Sequence, residues 1–560
     1  MLRSAHTRNG AIPRHPLLIF LFCLIAASSL SAQSLRFEVS VPATARADPL
    51  TGRVYVILSR EESRDLLEQI GSWEQETPFF GVDVSNLSSG SVAIIDADTL
   101  GYPLKSLREI PAGDYYVQAL VNVYTEFRRS DGHTIWAHMD QWEGQQFTKS
   151  PGNLYSEVKK IHLDPGAGYN VQMKADHVIP AVKVPADTKW VKHIKIQSQL
   201  LSKFWGQPIF LGAVVLLPKG YDKHPTANYP VIYEQDHFHL DPPLLITPDS
   251  SSDDSKSPSM GYEDFEAWRG ENFPRMIAVT FLHPTPFFDD SYAVNSANDG
   301  PYGDAIMQEL IPYIEEHFRI IRRPWARVLT GGSTGGWESL ALELYHPEFF
   351  GGTWTGFPDP IDFRHYQLVD IYGDPNAFEV PGYQWVPRER PLMRTVEGQV
   401  VETMRQLSQM EEVLGSHGRS GQQLEAWEAV YGPVGPDGYP EPLWDKRTGV
   451  INHKVADYMR NHGYDLREYA ERNWSKIGPL LADNVFIWVG DMDNFYLNLA
   501  VYDMQDFFKK HPEARAHFEY GRPEKGHGWF PWSVAELVKM MADHVAGHAP
   551  AGTDVRSWHY

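Results

Sequence analysis

Ser333 is framed by two pairs of glycines in the stretch VLTGGSTGGWESL, Val328 to Leu340. A hydroxyl is a weak nucleophile near neutral pH and becomes reactive when an adjacent base takes its proton. Imidazole can serve as that base, and a carboxylate on its far nitrogen fixes the tautomer and stabilises the charged form. The chain supplies both groups downstream, in the order serine, acid, histidine. VFIWVGDMDNFYL holds Asp491 and Asp493, and HFEYGRPEKGHGWF holds His527 between two glycines. Such a set performs acyl transfer through a covalent serine intermediate. The chemistry also needs backbone N–H groups aimed at the developing oxyanion. Thr334, directly after the serine, would give one, and the loop after YPVIYEQD, at His237-Phe238, is expected to give the other.

The acid is open between Asp491 and Asp493. Asp493 is favoured because it lies three residues past the strand-terminal Gly490, where a turn should carry its side chain back toward His527. Asp359 and Asp362, after the strand that follows the elbow helix, are more remote alternatives.

The elements that must position these groups follow from the pattern. Gly331-Gly332-Ser333-Thr334-Gly335 fits G-x-S-x-G between a short strand, ARVLT, and a helix, GWESLALELY. A strand turning sharply into a helix leaves no room for bulky neighbours, hence the glycines. IFLGAVVLLP, PVIYEQD, MIAVTFL, TWTGF and VFIWVG are further strands. They alternate with helical stretches, the pattern of a mostly parallel sheet covered on both faces, with ligands at the carboxyl ends of its strands. In GDAIMQELIPYIEEHF, Ile306, Leu310, Ile314 and Phe318 repeat every four residues as one buried helical face.

The remainder divides into segments of different texture. Period-two runs such as LRFEVSV, GRVYVIL and GDYYVQALVNVYTEF predict an all-β, sandwich-like domain over 33–186. The alternating strand–helix pattern spans 187–560 and is interrupted by 365–477, too long for a connection and expected to be an inserted cap. Thr247–Ser259 is a polar low-complexity run expected to form a mobile loop. Arg3, Arg8 and Arg14 precede PLLIFLFCLIAASSLSAQ, which reads as a secretory signal over 1–32 and predicts a secreted or periplasmic protein without a membrane anchor. Cys23, the single cysteine, would leave with it, so no disulfide is expected. Losing three arginines would take the formal charge from −22 to −25. So acidic a body disfavours nucleic acid as a partner. No H-E-x-x-H helix or paired cysteine site calls for a metal, and no cofactor is expected.

Taken together, VVLLPKGYDKHPTANYPVIYEQDHF, GPYGDAIMQELIPYIEEHFRI, TGGSTGGWESLALELYHPEFFGG, VGDMDNF and GHGW resemble the esterase family of α/β-hydrolases that includes esterase D, enterochelin esterase and the antigen 85 mycolyltransferases. The resemblance covers about Trp190 to His365 and Asn484 to His544. It implies Ser333 as nucleophile, Asp493 as acid, His527 as base, and oxyanion donors near Phe238 and Thr334. Two departures stand out: Phe238 replaces the glycine common after the histidine, and the insertion after Phe363 is not part of the family pattern. The expected function is a secreted serine carboxylic-ester hydrolase acting on a small-molecule, carbohydrate-linked or siderophore-like ester. The alternatives are an acyltransferase or serine peptidase of the same fold, or a non-catalytic polymer-binding protein on this scaffold. Tyr383, Trp385, Trp427, Tyr431 and Trp444 in the insertion could stack on sugar or aromatic rings, or could simply pack the cap.

Overall fold

The computed structural model describes residues 35–62, 66–71, 77–248, 261–380, 388–555, 558 and 560. The signal-like segment, most of Thr247–Ser259, Tyr383 and Trp385 lie outside the described residues.

The hydrolase-like part is built on eight strands: β1 (Val191–Ser198), β2 (Ile209–Leu216), β3 (Val231–Gln235), β4 (Ile277–Leu282), β5 (Arg327–Gly332), β6 (Thr353–Gly356), β7 (Val485–Gly490) and β8 (His517–Gly521). Their order across the sheet is β1-β2-β4-β3-β5-β6-β7-β8. β2 is antiparallel to β1 and to β4, and every pairing from β4 to β8 is parallel. This is the α/β-hydrolase fold. Val231, Ile232, Tyr233 and Ile277 to Leu282 are buried on both faces, which is why these strands read as continuous apolar runs rather than alternating ones.

The helical run before β5 starts at Tyr302 and ends at His317, with Ile306, Leu310 and Ile314 fully buried as the periodicity predicts. It is not uniform. Ile306–Leu310 forms a wider π turn just before Pro312, whose missing N–H cannot close an ordinary helical bond. Phe318 has left the helix in extended geometry.

Between Leu35 and Val178 ten strands form one sheet, with the long strand Gly113–Arg128 pairing Leu50–Ser59, Thr134–His138, Leu154–Ser156 and Lys159–Leu163. Val92–Asp96, at one edge, packs on Phe79–Leu87 near the other. The sheet therefore folds over itself around Phe37, Val39, Val54, Val56, Phe80 and Ile95.

The segment between β6 and β7 carries the helices Met404–Leu414, Gln423–Tyr431, His453–Asn461 and Leu466–Ile477. Thr403 caps the first of these through Gln406, the reciprocal arrangement that satisfies two orphan backbone donors. Trp427, Tyr431 and Trp444 are each about 1 % exposed, so they pack the interior and offer no face to a sugar. Their polar atoms are also turned inward: Trp444 Nε1 donates to Ser408 at 3.0 Å and Trp427 Nε1 to Asp359 at 3.3 Å.

Candidate active site

Ser333 occupies the tight turn between β5 and the helix Thr334–Tyr345 (α1), with φ 56° and ψ −120°. That is a costly conformation for a residue with a side chain, and it survives because the surroundings fix it. A Cβ on Gly331 would lie 2.2 Å from the Gly335 carbonyl oxygen, and one on Gly335 would lie 1.9 Å from that of Gln235. The glycines thus permit the backbone of the elbow to close against itself and against β3. Ser333 N donates to Gly356 O at 3.1 Å, while Ser333 O accepts from Trp337 N and Asp359 N, each at 3.1 Å.

The Ser333 hydroxyl lies 3.1 Å from His527 Nε2, and His527 Nδ1 lies 2.8 Å from Asp493 Oδ2. Asp493 is fully buried, and its other oxygen accepts from Phe495 N at 2.9 Å and Leu497 N at 3.2 Å. These backbone amides satisfy the buried carboxylate and hold its other oxygen toward His527. The imidazole is held edge-on between Phe357 and Phe495, with centroids at 4.8 and 5.0 Å. Asn494 Oδ1 accepts from His527 N at 2.8 Å, tying the histidine loop to the acid loop. Asp491 faces elsewhere, accepting from Tyr502 at 2.6 Å and pairing with Arg522. Asp362 pairs with Arg364 and, at 2.8 Å, with Arg467.

Asp359 does not meet the histidine in a hydrogen bond but lies against the serine. Its Oδ1 is 3.3 Å from Ser333 Oγ, and its Oδ2 accepts from Tyr292 at 2.6 Å, Thr334 Oγ1 at 3.0 Å and Gln423 Nε2 at 3.1 Å. Burial pushes its carboxyl up, against the Tyr292 and Thr334 hydroxyls that donate to it. Tyr292, Gln423 and Asn494 were not singled out from sequence. Tyr292 and Gln423 lie in distant segments without a motif, so only their meeting around Ser333 identifies them, whereas Asn494 stands beside Asp493 in VGDMDNF and its role shows only in its bond to His527 N.

The two amides expected to face an oxyanion lie at the start of α1 and just after β3. Thr334 opens α1, where the first N–H groups have no helical acceptor. Phe238 follows β3 and is about 9 % exposed. Among the described residues neither N–H donates to another protein group. A cavity of about 590 Å³ adjoins this loop, lined by His237, Phe238, Phe288, Asp289, Gln423 and the turn Gly144–Lys149. Also among the described residues, His237, Asp289 and Asp290 bring three ligand-type atoms within 4.8 Å of one another. Burial would lower the His237 pKa, but Asp289 and Asp290 hold it well above the ordinary imidazole value.

Residues 211–355 match the protein-family model described as "Putative esterase". No curated protein matches the chain. Among solved structures, a ferulic acid esterase is 14 % identical with a TM-score of 0.33, covering 64 % of this chain and 99 % of its own. A fluorophosphonate-binding serine hydrolase of Staphylococcus aureus is 12 % identical with a TM-score of 0.34, covering 63 % and 98 %. An S-formylglutathione hydrolase from Agrobacterium tumefaciens is 12 % identical with a TM-score of 0.33, covering 65 % and 96 %. The matched segment runs from β2 through the serine elbow to β6, so this part of the chain is similar to the esterase family and carries its strand–serine–helix core.

Proposed function

We propose that this esterase is an exported serine hydrolase that cleaves a small or carbohydrate-linked carboxylic ester through an acyl-enzyme on Ser333. The observation that carries the reading is the unbroken line from Ser333 Oγ through His527 to the buried Asp493. His527 Nε2 takes the hydroxyl proton as Ser333 Oγ bonds to the acyl carbon, and Asp493 stabilises the imidazolium that results. The carbonyl oxygen, now negative, faces the N–H groups of Thr334 and Phe238. Collapse expels the alcohol, which takes the proton from His527. Water then enters, gives a proton to the same nitrogen and attacks the acyl carbon, releasing the acid and restoring the serine.

Export is supported by the basic and then apolar run ahead of residue 35. The segment 365–477 is read as a cap because Gln423 reaches the Asp359 cluster while Arg394 Nε donates to Asp493 O at 3.0 Å. The test is direct. Ser333→Ala should abolish hydrolysis of p-nitrophenyl acetate while leaving the circular-dichroism spectrum unchanged. A folded variant that keeps most of its rate would remove Ser333 from the chemistry.

A further inference from the structure

The oxyanion loop of the hydrolase part is gripped by a turn from the N-terminal β region. The strand Thr134–His138 runs into this turn, Met139–Phe147. Asp140 organises it from within, its two carboxylate oxygens accepting from Trp142 N and Gln145 N, each at 2.7 Å. Glu143 adds a bond from Gln141 N at 2.6 Å and a contact with His138 Nε2 at 2.8 Å. Trp142, Gly144 and Gln145 all have left-handed backbone, with φ of 77°, 72° and 58°. Two of these residues carry side chains, for which that conformation is unfavourable, so the turn is held in shape by its contacts rather than by its own preference.

Those contacts lead to Phe238. Trp142 is 5 % exposed and meets the Phe238 ring edge-on, with centroids 5.3 Å apart. Its six-membered ring lies against β2, where a Cβ on Gly212 would come within 2.6 Å of the indole. A Cβ on Gly144 would lie 2.7 Å from Phe238 Cδ1 and 2.8 Å from its Cβ. Gln145 Nε2 anchors the far end, donating to Pro286 O at 2.6 Å. The phenyl group is therefore clamped between an indole and a glycine backbone, and its own N–H has no protein partner among the described residues.

We propose that Trp142 and Gly144 are positioning residues for ester hydrolysis: by clamping the Phe238 ring they aim the Phe238 N–H at the oxyanion, making the N-terminal β region part of the active site. This rests on the reading of Ser333 as nucleophile and Phe238 as oxyanion donor. A donor contributes only if it is fixed where the charge develops, and a displacement of less than 1 Å forfeits much of the effect. A glycine in place of Phe238 would offer no side chain to grip. Here the bulky residue gives the second region a handle, and the same turn continues as the wall of the cavity through Lys149.

The experiment compares Trp142→Ala, Trp142→Phe and Gly144→Ala with wild type, using p-nitrophenyl acetate and a trifluoromethyl ketone that forms a tetrahedral adduct with the serine. Trp142→Ala should lower kcat by about 10²-fold, the scale of one lost oxyanion donor, with KM changed less than about twofold. Ketone affinity should fall in parallel with kcat/KM, and Trp142→Phe should recover most of both. Gly144→Ala leaves Trp142 in place and should show the same split, which decides the matter if Trp142→Ala does not fold. Folded variants with wild-type kcat, or with losses confined to KM and thermal stability while ketone affinity holds, would overturn the proposal. Ser333→Ala serves as the reference: if it stays active, the reading of the site fails first. If it is dead while the clamp variants are fully active, only the clamp is wrong.

Discussion

At the scale of residues, the account depends on which carboxylate faces His527. Asp493 and Asp491 are two positions apart on one turn, yet one is buried with its oxygens on backbone amides and the imidazole, and the other reaches Tyr502 and Arg522 near the surface. Asp493→Asn should lower kcat by about 10⁴-fold, as when a triad carboxylate is neutralised and the histidine tautomer is lost. Asp491→Asn should stay within a few-fold of wild type. Steady-state kinetics on both variants checks this, and the reverse ranking would move the acid. Ser333, His527 and the two candidate acids were legible in sequence because each sits at a strand end inside a local glycine-rich signature. From sequence, Asp359 reads only as an alternative partner for the histidine. Its place beside the serine follows from Tyr292, Thr334 and Gln423 converging on it, and no local pattern records that convergence.

At the scale of elements, β strands and the elbow helix were legible and the polar groups buried beneath them were not. α1 is buried from Thr334 to Leu344, so it shows little amphipathic periodicity, and its Glu338 lies inside the protein. His283, at the end of β4, faces it with Nε2 3.9 Å from Glu338 Oε1, while its Nδ1 accepts from Ser291 N at 3.0 Å. Burial lowers the His283 pKa from 6.5 to about 4. A depressed imidazole contributes stability that is complete above about pH 6.5 and is lost as pH falls toward 4, because the unfolded chain binds the proton first. The difference corresponds to about 3 kcal/mol. Buried carboxyls such as Glu343, raised to about 8, titrate with the opposite sign, so the readout is a difference: the thermal midpoint of His283→Gln relative to wild type should rise as pH falls through this window. His544, also lowered to about 4 by burial, acts in the same direction in both proteins and so cancels in the comparison. An unchanged slope in the variant would mean that His283 is not the group titrating.

At the scale of the whole molecule, three segments that read as successive units interlock. Arg53, in the N-terminal sheet, donates to Val413 O at 2.9 Å in the insertion, and Arg419 of the insertion returns to Asp83 at 3.0 Å. The insertion in turn meets Asp359 and the acid loop, and the N-terminal turn meets Phe238. Contacts spanning hundreds of residues leave no periodicity or motif, so the sequence shows the order of the parts without their assembly around one serine. The central claim of the proposed function is that Ser333 becomes acylated during turnover. The most direct measurement is acid quenching of the enzyme in mid-turnover with a slowly deacylating p-nitrophenyl ester, followed by peptide mass spectrometry. The account predicts an acyl adduct on Ser333 whose formation matches the burst of p-nitrophenol, and no adduct in Ser333→Ala. Turnover with no adduct at that residue, or with a kinetically competent adduct on another side chain, would contradict it.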